Sequence, residues 1–82
     1  MRLDKFLKLS RIIKRRSVAS DACGGAHVSV NGKIAKPAHA LKIGDVISVR
    51  FGERVFTCRV KAMPEHVTKD EASSLYEVLD EA

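Results

Sequence analysis

The hydrophobic pattern of the chain opens with a short amphipathic helix. In the segment "RLDKFLKLS", Leu3, Phe6 and Leu7 fall on one side of a helix with 3.6 residues per turn, and Ser10 joins them there. The cations of the segment fall within an arc of about 120° on the other side: Arg2, Lys5 and Lys8. The segment therefore predicts a helix that buries one face and presents a basic face to solvent.

A second short helix is predicted after the segment "RIIKRR". Ser17 is a good N-cap residue, and the small residues of "VASDAC" follow it before two glycines end the helix. Arg15 and Arg16 stand just before its N-terminus. The N-terminal end of a helix dipole is positive, and these two side chains add positive charge to it. We therefore expect this end of the helix to attract phosphate.

From residue 27 onward the pattern changes to the two-residue alternation of β-strands. The segment "HVSVNG" alternates strictly, and its Asn31-Gly32 pair is typical of a hairpin turn. The segments "LKIGDVISVRF" and "RVFTCRVKAM" repeat the alternation, with turns predicted at Gly44-Asp45 and Gly52-Glu53. A small antiparallel sheet is therefore expected to follow the two helices.

The last part of the chain has a helical period again. Pro64 marks a boundary, and Thr68 and Glu71 have the spacing of a capping box. An apolar stripe follows, made of Ala72, Leu75, Tyr76 and Leu79. We predict a helix over residues 68–80, which either packs on the body or docks another macromolecule. The predicted division of the chain is a domain over 1–61 and an acidic helical segment over 62–82.

Charge divides the chain at the same place. The 82 residues carry a net charge of +5, and fourteen of the fifteen Lys and Arg residues precede Ala62, against only four acids there. The remainder carries Lys69 and six acids. A basic body with an acidic end indicates a nucleic acid or another polyanion as partner, although uneven surface charge on a soluble protein is the alternative.

No pattern of catalytic or metal-binding residues is visible in the sequence. The three histidines are far apart, and neither Cys23 nor Cys58 has a second ligand at zinc spacing, so we expect no metal and no cofactor. We expect both cysteines to be buried free thiols; a disulfide between them is the alternative, which a reducing compartment disfavours. So small a domain has little interior for a catalytic site, and we expect no enzyme activity. No apolar run has the length of a membrane span or the form of a signal peptide, which predicts a cytoplasmic protein.

The candidate site is the basic cluster at the start of the chain. Seven cations and one acid, Asp4, occupy the first sixteen positions: Arg2, Lys5, Lys8, Arg11, Lys14, Arg15 and Arg16. Guanidinium groups suit phosphate oxygens, while the few aromatic residues argue against a platform that stacks single-stranded bases. The cluster therefore predicts contact with structured RNA or DNA through its backbone and shape.

Four motifs in succession resemble the alpha-L RNA-binding domain, which is named for ribosomal small-subunit protein four. They are "RLDKFL", "KRRSVA", "GGAHVSVNG" and "LKIGDVI", and the resemblance covers about residues 2–50. The resemblance implies an α+β fold with two short N-terminal helices packed on a small antiparallel sheet. It also implies that the helical face contacts structured RNA.

The resemblance extends, through "VRFGERVFTCRV" and "EASSLYEVL", to the short stand-alone factors of bacterial ribosome quality control, relatives of heat shock protein fifteen. It implies binding to the large ribosomal subunit with an obstructed nascent chain, between large-subunit rRNA and peptidyl-tRNA. Peptidyl-tRNA would be stabilised in the P site while an RqcH-type factor adds alanine. The expected protein is a monomer without a membrane partner. The alternatives are a heat-shock-type rescue factor and the targeting module of an RNA-modifying enzyme.

The RNA contacts that the resemblance implies are Arg2 and Arg16, and we extend that role to the other five cations of the cluster. For Arg16 a structural alternative is an ion pair with Asp4 or Asp21. Three further lysines are as well explained as solvated surface residues: Lys33, Lys36 and Lys42.

Overall fold

The computed structural model describes residues 1–13, 27–51 and 53–81, and within them one helix precedes a five-stranded sheet. Helix α1 spans Leu3–Leu9, and the strands are β1 (Val28–Val30), β2 (Lys33–Ile34), β3 (Val46–Phe51), β4 (Arg54–Val60) and β5 (Tyr76–Glu81). A 3₁₀ helix over Ala72–Leu75 leads into β5. The α+β class with an antiparallel sheet is confirmed. The predicted second helix, which begins at Ser17, lies outside the described residues.

The sheet is antiparallel throughout, with the strand order β2-β1-β3-β4-β5. In its central register Ile47 of β3 faces Val30 of β1 on one side and Cys58 of β4 on the other. All three of these side chains are buried, because alternate residues of neighbouring strands point to the same face of a sheet. That face is the inner face, and the opposite, outer face carries polar pairs such as Ser48 and Thr57.

Helix α1 forms one core with the inner face of the sheet. Leu3, Phe6 and Leu7 have no exposed surface, and they belong to the same cluster of buried residues as Ile47 and Val49. The apolar face predicted from the sequence is therefore confirmed. Burial of this face stabilises the fold by about 2 kcal/mol per large side chain, and it turns the basic face of α1 toward solvent.

Cys58 lies at the centre of the core as a free thiol, as the sequence predicted. Burial raises the pKa of this thiol from 9.0 to about 11, because the thiolate would lose its hydration. The side chain is therefore neutral and serves packing. Cys23 lies outside the described residues.

The prediction of a C-terminal helix over 68–80 is wrong. Only the 3₁₀ helix at Ala72–Leu75 is helical, and Tyr76–Glu81 forms β5 on the edge of β4. The N–H and C=O groups on the side of β4 away from β3 need hydrogen-bond partners, and β5 supplies them. The segment "YEVLDE" also contains Tyr and Val, which favour strands. The packing alternative was the better one, since Ala72 and Leu75 are buried against the body. The division at residue 61 stays a prediction.

The predicted hairpin turn at Asn31-Gly32 is confirmed, and the side chain of Asn31 joins it to the loop before β3. Asn31 has a φ of 52° and Gly32 a φ of 83°, values that a two-residue hairpin turn requires. The Asn31 amide donates to Asp45 Oδ1 at 3.1 Å, and its Oδ1 accepts the Val46 N–H at 2.9 Å. Asp45 Oδ2 in turn accepts the Lys42 N–H at 2.9 Å.

We expect Asn31→Ala to lower the free energy of unfolding by about 2 kcal/mol, measured by urea denaturation, because it removes two hydrogen bonds and keeps a β-carbon at positive φ. Asn31→Gly is the matched control, because it removes the same hydrogen bonds but tolerates this φ. It should therefore lose only about half as much. Equal losses in the two variants would contradict a backbone contribution at this position.

Candidate nucleic-acid interface

Backbone pairing fixes the first residues of the chain against the loop between β2 and β3. The Leu3 N–H donates to the His39 carbonyl at 2.9 Å, and the Leu41 N–H donates to the Met1 carbonyl at 2.9 Å. Arg2 forms an isolated antiparallel bridge with Ala40 between these two bonds. The position of Arg2 is therefore set by the loop between β2 and β3 as well as by α1.

The side chain of Arg2 is held by Asp4 in a two-pronged ion pair. Its Nε lies 3.1 Å from Asp4 Oδ1, and its Nη2 lies 3.1 Å from Asp4 Oδ2. The carboxylate is almost fully buried, with 4% of its side chain exposed, whereas 51% of the Arg2 side chain is exposed. A guanidinium has five N–H donors and this fork uses two, so three are left for other acceptors.

Asp4 is oriented independently of the ion pair. Its Oδ1 also accepts the N–H of Lys5 at 2.8 Å. A buried carboxylate is costly unless it is paired, and the pair with Arg2 satisfies that requirement. The arrangement presents a guanidinium at the surface in a fixed orientation, which suits bidentate recognition of a phosphate.

The other cations of α1 lie on its solvent side. Lys8 and Arg11 are exposed and Lys5 is half-buried, while Leu3, Phe6 and Leu7 are buried on the opposite side. Of the seven predicted site residues, the structure thus places Lys5 and Lys8 on the solvent side of α1, with Arg2 just before the helix and Arg11 just after it. The other three, Lys14, Arg15 and Arg16, lie outside the described residues.

Arg11 has an unusual backbone conformation. It follows the C-cap residue Ser10 with a φ of 60°, in the left-handed region where glycine is the usual residue at the end of a helix. Its N–H donates to the Lys8 carbonyl at 3.1 Å. An arginine at this position costs about 1 kcal/mol relative to a relaxed conformation, so the local backbone does not account for the choice of residue.

Sequence reasoning missed one cation of this surface, Lys69. Lys8 and Arg11 line a small cleft at the end of α1, and Val67, Thr68 and Lys69 line its other side. In the sequence Lys69 belongs to the acidic part of the chain, about 60 positions away. No local pattern connects it with α1, because the contact depends on the path of the loop after β4.

Among residues 1–13, 27–51 and 53–81, no group of three or more His, Cys, Asp or Glu side chains could hold a metal ion. In the same part of the chain, no helix has the length and apolar character that crossing a membrane requires.

Residues 1–47 of the chain match the S4 domain family. The chain is an S4 domain protein. This S4 domain includes α1, the β1–β2 hairpin and the start of β3, so the Arg2–Asp4 pair and the α1 cations all lie within it. Strands β4 and β5 extend the sheet beyond the matched residues.

Relatives of this S4 protein match it from end to end. The chain is 48% identical, over 99% of its length and 92% of the relative's, to a protein of Halalkalibacterium halodurans named RQC P-site tRNA stabilizing factor. The protein of the same name from Bacillus subtilis is 43% identical, over 99% and 94% of the two chains. Among solved structures, the trimeric heat shock protein 15 of Vibrio cholerae has a TM-score of 0.88 and 34% identity, covering 96% of this chain and 81% of that one. The predicted relationship to heat shock protein fifteen is confirmed.

We expect Arg11→Gly to raise the free energy of unfolding of the S4 protein by about 1 kcal/mol, because glycine has no β-carbon to oppose a positive φ. Thermal denaturation of the purified protein would measure the gain. The matched control is Arg11→Ala, which removes the charge but keeps the β-carbon, and its stability should not rise. A loss of stability in Arg11→Gly would show that the arginine itself supports the fold.

Proposed function

We propose that the chain is an RNA-binding factor of ribosome quality control, which binds the large ribosomal subunit carrying an obstructed nascent chain. It stabilises peptidyl-tRNA in the P site during alanine tailing by an RqcH-type factor. It contributes binding and no catalysis. The name shared by its full-length relatives supports the pathway, and the S4 domain supports an RNA ligand.

The single observation that carries this proposal is the Arg2–Asp4 pair. The buried carboxylate of Asp4 holds the Arg2 guanidinium in place, and half of the Arg2 side chain is exposed to solvent. Such a guanidinium is preorganised for a phosphate group and loses little side-chain freedom on binding. Lys5, Lys8 and Arg11 extend the positive charge along the same side of α1. Lys69 adds a cation from the loop before β5.

The residues beyond Ile13 enter the proposal through the family resemblance. We propose Arg16 as a second RNA contact, with Lys14 and Arg15 beside it in the sequence. The contacts are to large-subunit rRNA and to peptidyl-tRNA. The expectation of a monomer stays a prediction, since the Vibrio cholerae relative is trimeric.

We expect Arg2→Ala to weaken binding to large ribosomal subunits carrying peptidyl-tRNA by about tenfold, because a charge-assisted bidentate contact to phosphate is lost. Co-sedimentation with large ribosomal subunits at several salt concentrations would measure the affinity of each protein. The slope of log affinity against log salt should fall by roughly 0.7 to 0.9 for one lost phosphate contact.

Arg59→Ala is the matched control for this experiment. The Arg59 side chain is 49% exposed and lies 4.0 Å from an acid, Glu77, but it is on the outer face of the sheet, away from α1. Binding should therefore be unchanged in Arg59→Ala. If both variants bind large subunits as the parent does, or both lose the same affinity, the α1 face is not the RNA contact.

A further inference from the structure

Three of the four Phe and Tyr residues of the chain line a single cleft on the inner side of the sheet. Phe51 is at the end of β3, Phe56 is in β4 and Tyr76 begins β5. Arg11 and Ile12 close the cleft from the end of α1, and its volume is about 250 Å³. No local pattern in the sequence predicts this cluster, because the residues that line the cleft are up to 65 positions apart.

Two of the three aromatic rings of the cleft pack against each other, and the third is exposed to solvent. Phe56 and Tyr76 meet edge to face, with centroids 5.8 Å apart and planes at 80°, a favoured geometry for an aromatic pair. Phe51 is on the inner face like Ile47 and Val49, which are buried, yet 48% of Phe51 is exposed. An aromatic face is therefore accessible beside a preformed aromatic pair.

Two arginines lie at the cleft, and they could contact the phosphates of a nucleotide. Arg11 lines the cleft, and Arg54 pairs directly with Phe51 across β3 and β4, so its side chain is on the same face of the sheet. Two acids belong to the same region: Glu53 is exposed in the connecting turn, and Glu81 pairs with Phe56 across β4 and β5. Arginines can contact the phosphates that flank a base or stack on the base itself.

The size and the aromatic lining of the cleft indicate one base. Its volume of about 250 Å³ is below the roughly 300 to 1,000 Å³ of pockets for drug-sized ligands, which suits a single planar ring system. The faces of bases within a duplex are covered by their neighbours, so a ring that stacks in a cleft must come from an unpaired position.

We propose that this aromatic cleft binds one unpaired nucleobase of the RNA by stacking, with Arg11 and Arg54 contacting the adjacent phosphates. The proposal rests on the proposed function for the identity of its ligand as RNA. It adds a second kind of contact to the α1 face, which holds backbone phosphates. It also revises the expectation that the chain has too few aromatic residues for stacking.

The test uses the full chain and two RNA hairpins of the same stem, one fully paired and one with a single bulged 2-aminopurine. We expect the parent protein to bind the bulged hairpin roughly tenfold more tightly, in line with the effect of one stacked base. The fluorescence of the 2-aminopurine should be quenched on binding. Phe51→Ala should bind both hairpins equally, with the affinity of the parent for the paired one.

Two variants separate stacking from other effects of the substitution. Phe51→Trp keeps an aromatic face and should retain the preference for the bulged hairpin. Val78→Ala shortens another apolar side chain, 51% exposed and outside the cleft, and should behave as the parent does. Thermal denaturation of each variant confirms that it is folded.

The outcomes distinguish this proposal from the one on which it rests. If the parent binds both hairpins with the same affinity, or if Phe51→Ala keeps the preference for the bulge, the cleft does not bind a base, while RNA binding stands. The cleft would then be open to a protein side chain. If the parent binds neither hairpin and no large subunits, both proposals are wrong.

Discussion

The structure depends on the burial of one carboxylate near the start of the chain. Asp4 is buried in α1, with 3% of its surface exposed, and the guanidinium of Arg2 donates two hydrogen bonds of 3.1 Å to its carboxylate. A buried charge without such a partner would destabilise the fold by about 3 to 5 kcal/mol. The pair thus links the stability of the first helix to the orientation of the arginine at the surface.

The position of the basic surface follows from that constraint. Backbone bonds from Leu3 and Leu41 fix the chain on either side of Arg2, and the apolar face of α1 packs on the sheet. Because the buried face of the helix is fixed, the lysines on its other side must face solvent. The molecule therefore presents cations from a rigid element, as expected for a surface that binds a polyanion by shape and charge.

Elements with a strong local pattern were predictable from the sequence, and elements set by distant contacts were not. The helical period of α1 and the turn at Asn31-Gly32 each depend on residues that are close together in the sequence, and both predictions are confirmed. Strand β5 was mistaken for a helix, since its spacing fits both periods and the open edge of β4 decided between them. Likewise, no pattern in the sequence linked Lys69 to α1, or Asp4 to Arg2.

The measurement that tests the account most directly is a double-mutant cycle between Arg2 and Asp4, read out as affinity for large ribosomal subunits. We predict that Asp4→Asn weakens binding in the parent protein, because Arg2 loses its orientation, and weakens it much less in the Arg2→Ala background. The stability of each variant is followed separately by thermal denaturation. Equal losses of affinity in the two backgrounds, or no loss in the parent, would contradict the claim that Asp4 positions Arg2 for RNA.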